Sequence, residues 1–384
     1  MKSTSHFEWI DFLRGISAVG IVLFHVRVDL WLGWEAIITK PSSFSSFDFA
    51  TALLSIPIPF FGSAVMLFFL VSGFCIHYPY AALGRSLELK SYSIRRFLRI
   101  YPPYLAVVIL GVLIEWIRNH YFGLGMSSLA KIINTVFMVQ NFEQGADNQM
   151  FANPSLWSLP IELQLYIVYP LFYFVLIRSG IKWALFLSAV VSTGALGLLL
   201  VANTDLYSHS RTYQVGDFPI YWIIWCAGAL LAEWAKREQL PKWRPWLWLV
   251  MAAVFVTAVV IDFLKLFIGI QNLVWAGFYF MVMLWGLTQT KPLGFLNSRF
   301  KKIFLWLGLI SYSLYLVHYP FFKLCGAIWV GMFGTKPVNF LIPLVFSVLS
   351  IPLAYAFYSY IEAPSHRLAR KIGGRGAPPR VMSS

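Results

Sequence analysis

Charge is what this sequence has least of. Asp, Glu, Lys and Arg make up only 12% of its 384 residues, against 59% hydrophobic. A soluble chain this long is read as two or three domains with a polar surface, and this one lacks the charge to cover them. Cysteine is rare as well. Cys75, Cys226 and Cys325 all sit in apolar runs, so they read as small buried hydrophobes. Their spacing fits neither a disulfide framework nor a metal site. A secretory leader, with its basic region, short apolar run and small-residue cleavage site, is missing, so the first apolar segment is expected to stay on the chain. The short alternating strands of a membrane barrel are missing too, as are internal repeats, and no appended soluble domain is expected.

Apolar segments of about 20 residues recur instead, each long enough to cross a bilayer as a helix. The mean hydropathy is +0.69. The expected fold is all-α, a polytopic membrane bundle of about ten transmembrane helices. The spans fall near 9–31, 58–80, 100–118, 156–178, 181–203, 217–236, 243–262, 264–287, 303–330 and 338–362. Residues 1–370 read as a single transmembrane domain, and 371–384 as a basic, disordered cytoplasmic tail. Segment 127–143 is amphipathic and short, either an eleventh span or a re-entrant or interfacial helix. Loop charge decides between these. With ten spans and both termini cytoplasmic, most of the 30 Lys and Arg fall on the inner side. With eleven, the later basic loops and the tail would face outward. The long outer loop 119–155 then carries Glu143 and Asp147. The net charge of +14 is thus a topology signal and does not point to nucleic acid.

Five stretches place polar groups in apolar surroundings. In DFLRGISAVGIVLFHV, residues 11–26, Arg14 and His25 are eleven residues apart. That is three helical turns plus about 20°, so both lie on one face, about 16 Å apart along the axis. Asp11 can pair with Arg14 at i−3. Arg14 either snorkels to the headgroups or binds a ligand. His25 is either a hydrogen bond between helices or a reactive group. In SYSIRRFLRIYPPY, residues 91–104, Arg96 and Arg99 share a face. They serve as inner-side anchors or as a clamp for phosphates. In NPSLWSLPIELQLYIVYP, residues 153–170, Trp157 suits an interfacial belt, and Glu162 lies one turn into a span, where a carboxylate needs a partner or a watery cavity. GLISYSLYLVHYPFF, residues 308–322, sets Ser311, Tyr312, Tyr315 and His318 along a polar stripe. In GSAVMLFFLVSGFCIHYPY, residues 62–80, small residues allow close helix approach, and His77 reads as structural or donor-side. Glu362, before Ala363-Pro364, is expected to end the last span and pair with a nearby Arg such as Arg367.

Taken in order, the Arg-x10-His helix, "LFFLVSGF", "RRFLRIYP", "PSLWSLPIELQLY", "SYSLYLVHYP" and "YIEAP" resemble the membrane acyltransferase-3 family over residues 8–370. One departure stands out. Many members carry a second acidic residue beside the Glu of the Trp-Ser-Leu motif, whereas Pro160-Ile161 and Leu163 flank Glu162 here.

The resemblance implies an integral inner-membrane O-acyltransferase. It would move an acyl group, acetyl by default, from cytoplasmic acyl-CoA to a hydroxyl of an extracytoplasmic carbohydrate or glycolipid such as O-antigen or exopolysaccharide. The chain reads as the stand-alone form without the fused esterase-like domain of some members. Transfer is then completed within the bundle or handed to a separate extracytoplasmic transferase. Arg14, Arg96 and Arg99 are the donor-binding candidates, with membrane lipid around the bundle. His25, Glu162 and His318 are the catalytic candidates. His25 acts as base or as transient acyl carrier, Glu162 orients or balances His25, and His318 holds the acceptor or the thioester carbonyl. Two rivals remain at this point: a glycan transporter or flippase, and a glycosyltransferase using a lipid-linked donor.

Overall fold

The computed structural model describes residues 2–82, 87–142, 149–202 and 218–373. These are helical, with no strand among them. The long helices are α1 (Lys2–Leu30), α2 (Ala64–His77), α3 (Leu89–Phe122), α4 (Ser158–Ser179), α5 (Ile181–Ala202), α6 (Phe218–Lys236), α7 (Trp246–Phe263) and α8 (Ile268–Thr288). They are followed by α9 (Ser298–Leu309), α10 (Ser311–Phe333), α11 (Leu341–Phe357) and α12 (Ala363–Ile372). Ten stretches among the described residues are long and apolar enough to cross a membrane, as the sequence predicts. Helix is the expected solution, because a lipid-exposed backbone must satisfy its own polar groups. Segment 127–143 does not add a span. It holds only an eight-residue helix, Leu129–Val136, and a short turn, Gln140–Phe142. Glu143, Asp147 and residues 374–384 lie outside the described residues.

Burial separates centre from rim. Two-thirds of the apolar window of α1 and of α6 is buried, against 6% for α7. The central helices approach closely through glycine, which brings backbones together where lipid offers no hydrophobic drive. A Cβ on Gly73 of α2 would meet the Trp225 carbonyl of α6, and one on Gly228 would meet the Leu70 carbonyl of α2. Gly15 and Gly308 seat α9 on α1 in the same reciprocal way, against the carbonyls of Phe304 and Asp11.

Two boundaries differ from expectation. The span expected at 303–330 breaks at Ile310 into α9 and α10. The Ser311 hydroxyl donates to the Gly308 carbonyl at that break. The last span does not stop at Pro364. A π-turn at Tyr358–Glu362 leads straight into α12. Pro364 sits in the first turn of α12, directly after the π-turn.

Prolines inside helices tie the bundle together. A helix-interior Pro cannot donate to the carbonyl four residues back, and within a membrane that carbonyl needs another donor. Pro102 frees the carbonyl of Leu98, which accepts the Ser365 hydroxyl of α12. Pro170 frees that of Tyr166, which accepts the Tyr92 hydroxyl of α3 at 3.0 Å. Pro320 frees that of Leu316, which accepts the Asn153 side-chain amide at 2.9 Å. These three donors come from elsewhere in the chain, so Pro102, Pro170 and Pro320 each create a cross-link.

The pairing gives a specific expectation. Asn153→Ala leaves the Leu316 carbonyl orphaned and costs about 1–3 kcal/mol. In the double variant with Pro320→Ala, the restored N–H of residue 320 takes that carbonyl, and most of the loss returns. Melting midpoints of the four proteins in one detergent measure the coupling. Additive losses would show that Asn153 and Pro320 act independently.

Candidate active site

Because α1 runs unbroken from Lys2 to Leu30, Arg14 and His25 stay on one face. Arg14 is held by Asp11 at 3.4 Å and faces a cavity of about 110 Å³. Arg96 and Arg99 of α3, Ser72 of α2, Glu162 of α4 and Glu362 also line it. Arg96 lies over the rings of Tyr92 and Tyr166, 5.7 and 6.0 Å from their centroids. Its Nε is buried without a hydrogen-bond partner. Arg99 lies within electrostatic reach of both Arg14 and Arg96. Three guanidinium groups converging on one cavity repel each other, and an anion relieves that.

Two carboxylates offset part of this charge. Glu162 accepts from the Ser72 hydroxyl at 3.0 Å and from the Tyr166 hydroxyl. It therefore belongs to the arginine cavity and makes no hydrogen bond to His25. Glu362 is 1% exposed. It accepts from the Ser313 backbone N–H at 3.1 Å and the Ser313 hydroxyl at 2.5 Å, with His366 at 3.7 Å. The expected pairing with Arg367 is not made. The π-turn and the continuing helix direct Glu362 into the bundle instead.

The second centre joins α1 to α10. His25 Nδ1 lies 2.7 Å from Nε2 of the fully buried His318. His318 Nδ1 lies 2.9 Å from the Leu314 carbonyl, and a carbonyl only accepts, so Nδ1 carries the proton. In the neutral pair, His318 Nε2 is then an acceptor and His25 Nδ1–H donates to it. The lone pair of His25 falls on Nε2. A backbone carbonyl thus fixes the tautomer of a histidine on another helix, the positioning a general base requires.

Tyr315 stands between the two centres. It lines the cavity, and its ring centroid is 5.9 Å from that of His318. Its hydroxyl donates to the Ser155 carbonyl at 2.5 Å and accepts from the Ser158 hydroxyl at 2.7 Å. Ser311 and Tyr312 also line the cavity, whereas His318 pairs with His25 beyond Tyr315. Asn153, whose Oδ1 accepts from the Ser155 hydroxyl at 2.6 Å, presses the Asn-Pro-Ser segment onto α10 beside His318. His77 is buried between Glu233 at 2.8 Å and the Tyr169 hydroxyl at 3.1 Å, a link between α2, α4 and α6. Sequence reasoning missed Glu362 and His366 as cavity residues, and Ser313 as the group that holds Glu362. The quoted "YIEAP" was the available signal.

The profile of a family described as an acyltransferase domain matches residues 7–359. The chain belongs to the acyltransferase-3 family. It is 27% identical over 281 residues to a peptidoglycan O-acetyltransferase, OatA, of Listeria monocytogenes, covering 68% of this chain and 44% of that protein. It is 25% identical over 387 residues to an O-acetyltransferase, OatA, of Staphylococcus aureus, covering 95% of this chain and 58% of the relative. The chain thus spans about half the length of the curated relatives it matches. No solved structure matches it.

Nitrogen-15 spectra of histidine-labelled protein read the tautomers directly. Near neutral pH, His25 is expected protonated at Nδ1 with Nε2 bare, and His318→Phe is expected to erase that preference. A His25 signal protonated at Nε2 in the wild type contradicts the assignment.

Proposed function

We propose that the protein is a membrane O-acetyltransferase. It moves an acetyl group from cytoplasmic acetyl-CoA to a carbohydrate hydroxyl on the opposite side of the cytoplasmic membrane. One observation carries this reading: a single unbroken helix bears Arg14 in an arginine cavity and, three turns on, His25 with its lone pair fixed at Nε2. Acyl-CoA has matching chemistry, a polyanionic head, a slender arm and a thioester at the tip. The cavity, at about 110 Å³, accepts an arm rather than a whole nucleotide. Arg14, Arg96 and Arg99 then hold phosphate groups at its mouth, with Glu162 and Glu362 fixing the spacing of the charges. The concentration of basic residues in loops at that end supports its assignment to the cytoplasm.

In the reaction, His25 Nε2 takes the proton of the acceptor hydroxyl. The oxygen attacks the thioester carbonyl, the C–S bond breaks, and the CoA thiolate leaves with the proton held by His25. His318 positions His25 and stabilises its protonated ring, because its Nε2 still accepts from Nδ1–H. The names of the relatives, both O-acetyltransferases, support acetyl as the group, and that of the Listeria relative, a peptidoglycan O-acetyltransferase, supports a glycan as the acceptor. A separate extracytoplasmic transferase remains a candidate partner in the final hand-over.

The test uses membranes with labelled acetyl-CoA supplied on the side of Arg14, and follows label into extracted glycan. His25→Ala is expected to lower transfer about 10²- to 10⁴-fold. Arg99→Gln is expected to raise KM for acetyl-CoA about tenfold or more, as loss of a charged hydrogen bond does. Wild-type rates in His25→Ala protein would remove His25 from the chemistry. Label that never leaves acetyl-CoA in wild-type membranes would sink the acetyltransferase reading itself.

A further inference from the structure

One turn beyond the histidine pair, away from the arginine cavity, lies a second polar cluster that the reaction above does not use. Asp29, four residues after His25 on α1, meets Lys323 of α10 at 2.5 Å. The pair is not sealed: the two side chains keep 12% and 21% exposure. The Lys323 ammonium lies 5.3 Å over the ring of Tyr319. That ring is itself 4.7 Å from the ring of His25. From α3, Arg118 comes within electrostatic reach of Asp29 and Glu115, while its Nε and Nη1 are buried without hydrogen-bond partners. Buried guanidinium donors without partners are rare and costly. Ionisable side chains within membrane spans mark ligand paths.

The fourth charge, Glu115, is fully buried and already committed. It accepts from the Ser127 N–H, the Ser127 hydroxyl and the Ala152 N–H at 2.8, 2.9 and 2.8 Å. Lys323 and Arg118 therefore face Asp29 and Glu115, and the cluster carries no net charge. Its unmet need is for oxygen acceptors, alongside a carboxylate able to take hydroxyl protons and a tyrosine ring to pack against. Further along the same two helices, Tyr121, Phe122, Ala327, Ile328 and Gly331 line a groove between the ends of α3 and α10.

We propose that Arg118, Asp29, Lys323 and Tyr319 form the acceptor subsite. It takes an uncharged, hydroxyl- and amide-bearing sugar and presents one hydroxyl to His25. Arg118 donates to sugar or acetamido oxygens, Asp29 accepts from hydroxyls, and Tyr319 packs against the ring between them and His25. The subsite rests on the acetyltransferase reading for its purpose, but not for its detection.

The probe is tritiated chitotetraose, a neutral N-acetylglucosamine tetrasaccharide, in equilibrium dialysis against the purified full chain in detergent. Wild-type protein is expected to bind it with little change on raising salt to about 0.5 M, since no net charge is involved. Arg118→Gln is expected to bind about tenfold more weakly. Arg118→Lys, which keeps the charge but not the planar donors, should recover only part of that loss. Unchanged elution on size exclusion verifies that both variants fold. Absent binding by wild type, equal binding by Arg118→Gln, or a tenfold preference for a hyaluronan tetrasaccharide, its anionic counterpart, would each overturn the proposal. Acetyl transfer measured on the same preparation separates the two claims. Selective saccharide binding without transfer sinks the acetyltransferase reading and keeps the subsite. Transfer with Arg118-independent binding does the reverse.

Discussion

A carbonyl freed by proline inside a membrane helix must find a donor, and this requirement holds the site together. Leu98, Tyr166 and Leu316 each lose the N–H four residues ahead, and each gains a side chain from another part of the chain: Ser365, Tyr92 and Asn153. In lipid the alternative is an unsatisfied acceptor costing several kcal/mol. Apolar packing alone lets helices slide and rotate, because lipid tails are as apolar as the partner helix. These three bonds remove that freedom where it matters. Two of them bracket the arginine cavity on α3 and α4. The third lies two residues from His318 and sets α10 against α1 at the register of the histidine pair.

Charge is arranged differently at the two ends of this path. The arginine cavity concentrates like charge, and its carboxylates are tied to hydroxyls: Glu162 to Ser72 and Tyr166, and Glu362 to Ser313. Such an array favours a polyanion. Beyond the histidines, opposite charges face one another and the surplus lies in hydrogen-bond donors. A donor molecule and an acceptor molecule approaching from opposite sides would meet fields suited to each. The histidine pair between them is anchored by a neutral contact, the Leu314 carbonyl, and that carbonyl sets its tautomer.

Much of this was legible in the sequence because lipid makes hydropathy strict. Ten spans, the one-face relation of Arg14 and His25, and the nearness of Arg96 and Arg99 all follow from length and helical period. What was not legible depends on pairing between distant segments. Glu162 is apolar-flanked whether it faces His25 or Ser72, and only the packing of α4 on α2 decides. Glu362 looked like the end of a helix because Pro364 follows it, but proline in a first turn starts a helix as readily as it stops one. The break at Ile310 leaves no mark in hydropathy, since both halves are apolar. Arg118 looks like any basic residue near a helix end until its two orphaned nitrogens are seen.

Tyr315 is the remaining constraint on the path. It separates the arginine cavity from the histidine pair and is held by two hydrogen bonds, to Ser155 and Ser158. Such bonds contribute about 1 kcal/mol each to a folded state. Turning the ring aside also orphans the buried Ser155 carbonyl, at about 1–3 kcal/mol, so a ligand must favour the open state over the closed one by at least that much. An arm filling the cavity and pressing on the ring meets that condition. A headgroup held only by the arginines does not, because it contacts nothing that differs between the two states. In the proposed reaction, the ligand placed to move Tyr315 is thus a donor whose arm is long enough to reach His25.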